Sequence, residues 1–273
     1  MRGPGRITSQ RRQRLLDQLE ARGSARVADL AGAFHVSEIT IRRDLDELSA
    51  AGLVERYHGG VRLAQRTGRE RLFVEKDLLH AAEKEAIGSE AASRVKDEDT
   101  VLLNAGSTTL AVIRHLRRRN VRIVTNNAAA PAEFGDSEAE LIVLGGEFRP
   151  RSRSLFGELA VLGLSQIHAS ICILGTNGVS ARTGLTTSVY AETAVNRLMV
   201  ERADGNVVAV ADGSKVGVTS NFACVPMAQV RTLITDRSAG AEQLDAIRAA
   251  GVQVVVCPVG EPAQDEGERE AVP

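Results

Sequence analysis

The pattern of apolar and polar positions divides the chain into two halves with different periods. Over Arg6–Ala21, Ile7, Leu15, Leu16 and Leu19 mark one face of a helix, with Gly23 as its stop. Val27–Phe34 places Val27, Leu30, Ala31 and Phe34 on a second, short helix. Ser37 is an N-cap for a third helix ending near Ala51-Gly52. Two β-prone runs follow, Leu53–Tyr57 and Val61–Leu63, around the turn His58-Gly59-Gly60. Three helices and a hairpin predict a winged helix-turn-helix domain over residues 1–63. Residues 64–80 are polar and basic and read as a linker. From Glu83 onward, helical stretches alternate with short β-branched runs: Thr100–Leu103, Arg122–Thr125, Leu141–Leu144, Ile171–Leu174, Val207–Ala211, Thr232–Thr235 and Val252–Cys257. Continuous apolar strands separated by helices predict a mostly parallel α/β domain over residues 81–260. Residues 261–273, with five acids, one arginine and two prolines, read as a disordered acidic tail.

Charge sharpens this division. Residues 1–72 hold 14 arginines, no lysine and 9 acids, whereas the rest of the chain holds 20 basic and 26 acidic residues. A basic head on an acidic body points the head at a polyanion. Only four of the 34 basic residues are lysine, so each lysine that remains is informative. The longest apolar runs, such as Val207–Ala211 and Val252–Cys257, are strand-sized, far below the roughly 20 residues that span a bilayer. With no apolar export segment at the N-terminus, a cytoplasmic protein without a membrane partner is expected. Cys172, Cys224 and Cys257 and the five histidines are scattered, so neither a disulfide framework nor a metal site is expected, and no cofactor is called for.

The most specific run is Val36-Ser37-Glu38-Ile39-Thr40-Ile41-Arg42-Arg43-Asp44-Leu45, followed by Leu48, Gly52-Leu53 and Arg56-Tyr57-His58-Gly59-Gly60. At helical spacing Ile41, Leu45 and Leu48 fall within about 60° of one another and form a buried stripe. The opposite face carries Ile39, Arg43 and Asp46, flanked by Thr40, Arg42 and Glu47. An outward arginine near the start of a second helix suits guanine O6 and N7 in the major groove. Ile39 suits a thymine methyl, and Thr40 a phosphate or base edge. Arg6, Arg11, Arg12, Arg14, Arg26, Arg56 and Arg62 are candidate phosphate contacts. With Ser37, Arg42 and His58 they complete the candidate DNA-binding set. The alternative is a solvated face on which Arg42 and Arg43 pair with Asp46 and Glu47.

In the body, several strands run into small or polar residues. They are Asn104-Ala105-Gly106-Ser107-Thr108-Thr109, Asn126-Asn127, Gly145-Gly146, Gly175-Thr176-Asn177-Gly178 and Asp212-Gly213-Ser214-Lys215. Carboxyl ends of parallel strands line one edge of the sheet, where ligands bind. The first loop opens a helix, whose free N–H groups favour an anion, and Lys215 would add a full positive charge.

Together these runs resemble the DeoR family of bacterial transcriptional regulators. That family's head reads V-S-x-x-T-I-R-R-D-L-x-x-L and ends in R-x-H-G-G, and the resemblance extends to about Asp236. It implies a sensor domain similar in fold to ribose-5-phosphate isomerases and CoA transferases, binding a phosphorylated sugar or related metabolite. Carried over, Gly106, Ser107, Thr108 and Thr109 cradle the phosphate beside Lys215. Asn104, Asn126, Gly145, Gly146, Asp212, Lys84 and Arg149 shape the remainder. The chain departs from the family at two positions, with Asn104 where Asp is frequent and Asn196 where Lys is frequent. The resemblance implies a homo-oligomeric repressor of a sugar operon, bound to double-stranded operator DNA and released by its effector. The rival is a sugar-phosphate isomerase with an attached DNA-binding head. Isomerisation needs a carboxylate base, and the loops offer Asp212 and Lys215 without the isomerases' Asp-Gly-x-Asp-Glu cluster.

Overall fold

The computed structural model describes residues 24–50, 54–57, 60–63 and 72–259, together with helical residues 11, 12, 14–16, 18 and 19. Arg6, His58 and the tail 261–273 lie outside the described residues. The head begins with strand β1 (Ser24–Arg26) and helices α1 (Val27–Ala33) and α2 (Glu38–Ala50), then β2 (Val54–Tyr57) and β3 (Gly60–Leu63). The strands form an antiparallel sheet in the order β1-β3-β2. The expected stripe is the interior: Ile41, Leu45 and Leu48 pack with Leu15, Leu16, Leu19, Leu30, Val54 and Val61. Burying these side chains together is what holds so small a unit closed.

Residues 73–78, inside the stretch expected to be linker, instead form a helix, α3 (Phe73–Leu78). Its apolar residues do not share one face, because they serve two neighbours. Phe73 packs in the body's interior, while Leu78 and the following Leu79 pack against the head's.

The body's first elements are α4 (Ala81–Ser93), β4 (Thr100–Leu103), α5 (Ser107–Leu116), β5 (Arg122–Thr125), α6 (Ala130–Phe134) and β6 (Glu140–Val143). A hairpin, β7 (Glu147–Arg149) with β8 (Ser154–Phe156), leads to α7 (Glu158–Ser165) and β9 (Ile171–Gly175). Then come β10 (Gly178–Ser180), β11 (Gly184–Thr187), α8 (Glu192–Glu201), β12 (Val207–Val210), β13 (Phe222–Val225), β14 (Thr232–Asp236), α9 (Ala241–Ala249) and β15 (Gln253–Cys257).

Seven of these strands form one sheet in the order β15-β14-β12-β9-β4-β5-β6, every pair parallel. Alternate residues of each strand face opposite sides. Leu102, Cys172, Leu174, Val207 and Ala209 pack beneath α7, α8 and α9, whereas Val101, Leu103, Ile171, Ile173 and Val208 pack beneath α4 and α5. Sheet order reverses between β4 and β9: later strands run one way from β4 through β5 and β6, and the other way from β9 through β12. The carboxyl ends at such a reversal diverge and leave a crevice. A small antiparallel sheet, β10-β11-β13, covers one side of it.

Candidate functional site

On the head, Ser37 caps α2: the Thr40 N–H donates to Ser37 Oγ at 3.3 Å, and the two hydroxyls lie 2.9 Å apart. Ile39 is 79% exposed, an unusual position for a large aliphatic side chain. Arg43 is exposed and pairs with no described residue, and Arg26 is exposed at the end of β1. Arg42 pairs with Glu38 at 3.0 Å and Arg56 with Asp46. The alternative pairing of Arg42 and Arg43 with Asp46 and Glu47 is therefore not formed. Glu47 instead meets Arg12 at 2.6 Å.

Arg12 departs from its expected role. With Arg11 it donates to Asp44, a carboxylate only 1% exposed, at 3.2 and 2.5 Å respectively. A buried carboxylate needs such partners, so Arg11 and Arg12 tie the first helical stretch to α2. Asp44 was missed as a structural anchor, although its position three residues after Ile41 places it beside the buried stripe.

At the reversal point of the body lies a cavity of about 320 Å³. Asn104, Ala105, Gly106, Ser107 and Thr108 line it after β4, Gly175 to Asn177 at the end of β9, and Asp212 with Lys215 after β12. The first N–H groups of α5 have no intrahelical acceptor, so they stand available at the cavity. Lys76, Lys84 and Lys215 also line it, which makes three of the chain's four lysines.

Two buried carboxylates fix the Lys215 loop. Asp212 accepts from the Ser214 N–H at 3.2 Å and from its hydroxyl. Asp236 accepts from the Gly213 N–H at 2.7 Å and from the Ser238 N–H at 2.8 Å. The approach is close enough that a Cβ on Gly213 would stand 2.3 Å from the Ala239 nitrogen. Burial alone would raise the Asp212 carboxyl, but Lys215, the Ser214 hydroxyl, His80 and Lys84 outweigh it and hold it below its ordinary value.

Lys84 is 4% exposed, and its ammonium donates to the carbonyls of Lys76 and Leu79 at the end of α3. Burial lowers it from the ordinary 10.5 to about 8, partly countered by Asp212 and Asp77. Its folded value lies below its unfolded one, so between those values the unfolded chain binds the additional proton and stability rises with pH. Lys84→Met should abolish that rise, seen by comparing urea midpoints of the two proteins at about pH 7.5 and pH 9.5. A rise of equal size in both proteins would show that Lys84 is not its source.

Five residues expected in the effector set do not line the cavity. Asn126 supports its wall, accepting from the Ala105 N–H at 2.7 Å and donating to the Leu155 carbonyl at 2.9 Å. Thr109 is turned inward, its hydroxyl donating to the carbonyl of Asn104 at 2.7 Å. Gly146 is a backbone requirement: its φ is +132°, and a Cβ would lie 2.2 Å from the Phe156 carbonyl oxygen. Gly145 is exposed, and Arg149 reaches Ser152 at 3.4 Å.

The two family departures stand against each other. Asn104 Nδ2 donates to Asn196 Oδ1 at 3.2 Å and to the Gly175 carbonyl at 2.9 Å, while its Oδ1 accepts the Gly175 N–H at 2.8 Å. A neutral amide pair thus forms between the two positions, and the bonds from Asn104 to Gly175 tie β4 to β9. The sequence reading missed Glu192 and Thr187, and it placed Asn177 in a strand-end run without assigning it to the effector set; all three line the cavity.

Residues 11–67 match the DeoR-like helix-turn-helix domain, and residues 79–237 the DeoR C terminal sensor domain. The HTH-type transcriptional regulator GlpR of Haloferax volcanii is 32% identical, over 91% of this chain and 98% of its own. The putative aga operon transcriptional repressor of Escherichia coli O157:H7 is 30% identical, over 93% and 95%. The HTH-type transcriptional repressor GlcR of Bacillus subtilis is 30% identical, over 93% and 96%. Among solved structures, ribose 5-phosphate isomerase A of Methanocaldococcus jannaschii aligns over 48% of this chain and 52% of its own, at 21% identity and a TM-score of 0.36. No helix among the described residues is long and apolar enough to cross a membrane.

Proposed function

Because this chain belongs to the DeoR family of helix-turn-helix transcriptional regulators, we propose that it represses a sugar-metabolism operon and is controlled by a phosphorylated sugar in the body's cavity. It is a DNA-binding regulator and not an isomerase. The sugar assignment draws support from the relatives named for the aga operon and as GlcR.

One observation carries the effector: the N-terminus of α5, Lys84 and Lys215 line one cavity. Two ammonium groups and a helix N-terminus favour a dianion over a neutral sugar. The cavity lies at the lower end of small-molecule sites, which suits a monosaccharide ester. Leu79 provides the connection to DNA, because it lines the cavity and also packs in the head's core. Lys84 holds the carbonyls on either side of α3's end. An anion that draws the ammonium away loosens the segment on which the head rests. The ligand need only prefer one arrangement of that segment for linkage to follow.

Calorimetry with hexose and pentose phosphates and the corresponding free sugars tests the reading. A phosphate ester binds and its free sugar does not, and Lys215→Ala weakens the ester about tenfold through loss of a charged partner. Equal binding of the free sugar, or an unchanged Lys215→Ala, would remove the phosphate site. A single α2 covers only a few base pairs, so the active species is a homo-oligomer with heads spaced about 34–36 Å or a multiple apart. A monomer bound to operator in sedimentation would refute that part.

A further inference from the structure

The wall of the cavity that carries Glu192 is built differently from the wall that carries the lysines. Glu192 is the first residue of α8, where the helix dipole favours its charge. Its Oε1 accepts from the Ser154 hydroxyl at 2.8 Å, and Ser154 in turn is joined to Ser152 at 2.7 Å. Its Oε2 faces the Thr187 hydroxyl at 3.4 Å. Thr187 has one proton and two acceptors within reach, since Asn177 Oδ1 lies closer, at 3.2 Å. When that proton goes to Asn177, Oε2 is left without a donor among the described residues. An ionised carboxylate has about four acceptor sites, so Glu192 is undersupplied in either case. No cation among the described residues pairs with it.

Asn177 complements this. Its Oδ1 also accepts the Ser188 N–H at 3.1 Å, while its Nδ2 has no hydrogen-bond partner among the described residues. The wall therefore offers an unfilled carboxylate acceptor and an unfilled amide donor along one cavity. A hydroxyl uses both, because it donates and accepts. An ammonium would satisfy Glu192 and leave the amide idle.

We propose that Glu192 and Asn177 form the specificity end of the effector site and read hydroxyls of a polyhydroxy chain whose far end carries the phosphate. This rests on the phosphate reading above and adds to it the requirement for hydroxyls. Glu192 is a ligand-binding residue here, and Ser152 and Ser154 are positioning residues that orient its carboxylate.

The test compares inorganic phosphate, propyl phosphate and a panel of pentose and hexose phosphates by calorimetry on the full chain. At least one sugar phosphate binds tighter than propyl phosphate, which has the ester but no hydroxyls. In Glu192→Gln the ratio of its affinity to that of inorganic phosphate falls about tenfold, as expected for loss of a charge-assisted hydrogen bond. Asn177→Ala lowers the same ratio, and melting curves of both variants show that they are folded. The proposal is overturned if no sugar phosphate outperforms propyl phosphate, or if Glu192→Gln leaves the ratio intact. It is also overturned if a 2-amino sugar phosphate binds tighter than its hydroxyl analogue and Glu192→Gln erases that gain. Failure of the phosphate reading looks different: inorganic phosphate itself does not bind, or Lys215→Ala leaves it unaffected.

Discussion

Arg43→Ala should weaken operator binding by about 1–3 kcal/mol, roughly 5- to 150-fold, and relax discrimination at one base pair. The expectation rests on an exposed guanidinium that pairs with no described residue, one turn into a helix whose start is fixed by Ser37. Nothing has to be broken to free it, so its whole donor set is available to a guanine edge. Arg42 is a poorer candidate, since Glu38 already holds it at 3.0 Å. Arg12→Ala should behave in a third way. It removes a partner from buried Asp44 and should lower the head's melting temperature together with its affinity for all DNA. Competition binding against single-base operator variants separates these cases. An Arg43→Ala protein that keeps the wild-type order of preference would show that α2 reads bases through other side chains.

Leu79→Ala should separate effector binding from DNA release. In the wild type, saturating sugar phosphate should change operator affinity about 5- to 150-fold, a coupling of 1–3 kcal/mol. Leu79 sits in both the cavity wall and the head's core, so trimming it removes the shared side chain and leaves the lysines and the α5 N-terminus in place. The ratio of operator affinities with and without ester should then approach one, while the ester still binds. Linkage is reciprocal, so the effect of operator on ester affinity should vanish as well. Fluorescence anisotropy on labelled operator measures the first ratio and calorimetry the second. A Leu79→Ala protein that is folded, binds both ligands and retains the full coupling would place the connection elsewhere.

Much of this architecture was legible because the residues that make it repeat locally. Thr100–Leu103 and Arg122–Thr125 are bounded as the apolar runs indicate, and the stripe Ile41, Leu45 and Leu48 is the head's interior. What escaped has a common cause. Gly178–Ser180, Gly184–Thr187 and Glu147–Arg149 are three or four residues long and mix glycine with polar side chains, so no period emerges. Helix α3 hides its pattern because Phe73 and Leu78 turn to different cores. The cavity was legible at the end lined by Gly106, Ser107, Thr108 and Lys215, which follow strands in a recognisable way. It was not legible at the other end. Glu192 meets Ser154 across 38 residues, and Asn196 meets Asn104 across 92, separations at which one sequence carries no pairing signal.

The lysine distribution has a practical consequence for labelling chemistry. Lys76, Lys84 and Lys215 surround one cavity, and only Lys96 lies on the outer surface away from it. An amine-selective reagent therefore probes this protein almost as an affinity label would, although it carries no recognition element of its own. Reductive methylation with isotopic formaldehyde would place three lysine reporters at the cavity and one on Lys96 as an internal control outside it, each distinct from a label on the α-amine. Lys84, held at about 8 by its burial, contributes a larger share of free amine near neutral pH than an ordinary lysine. Its resonance would move with any occupant that restores the charge, so a small library of metabolites can be screened without an operator sequence in hand.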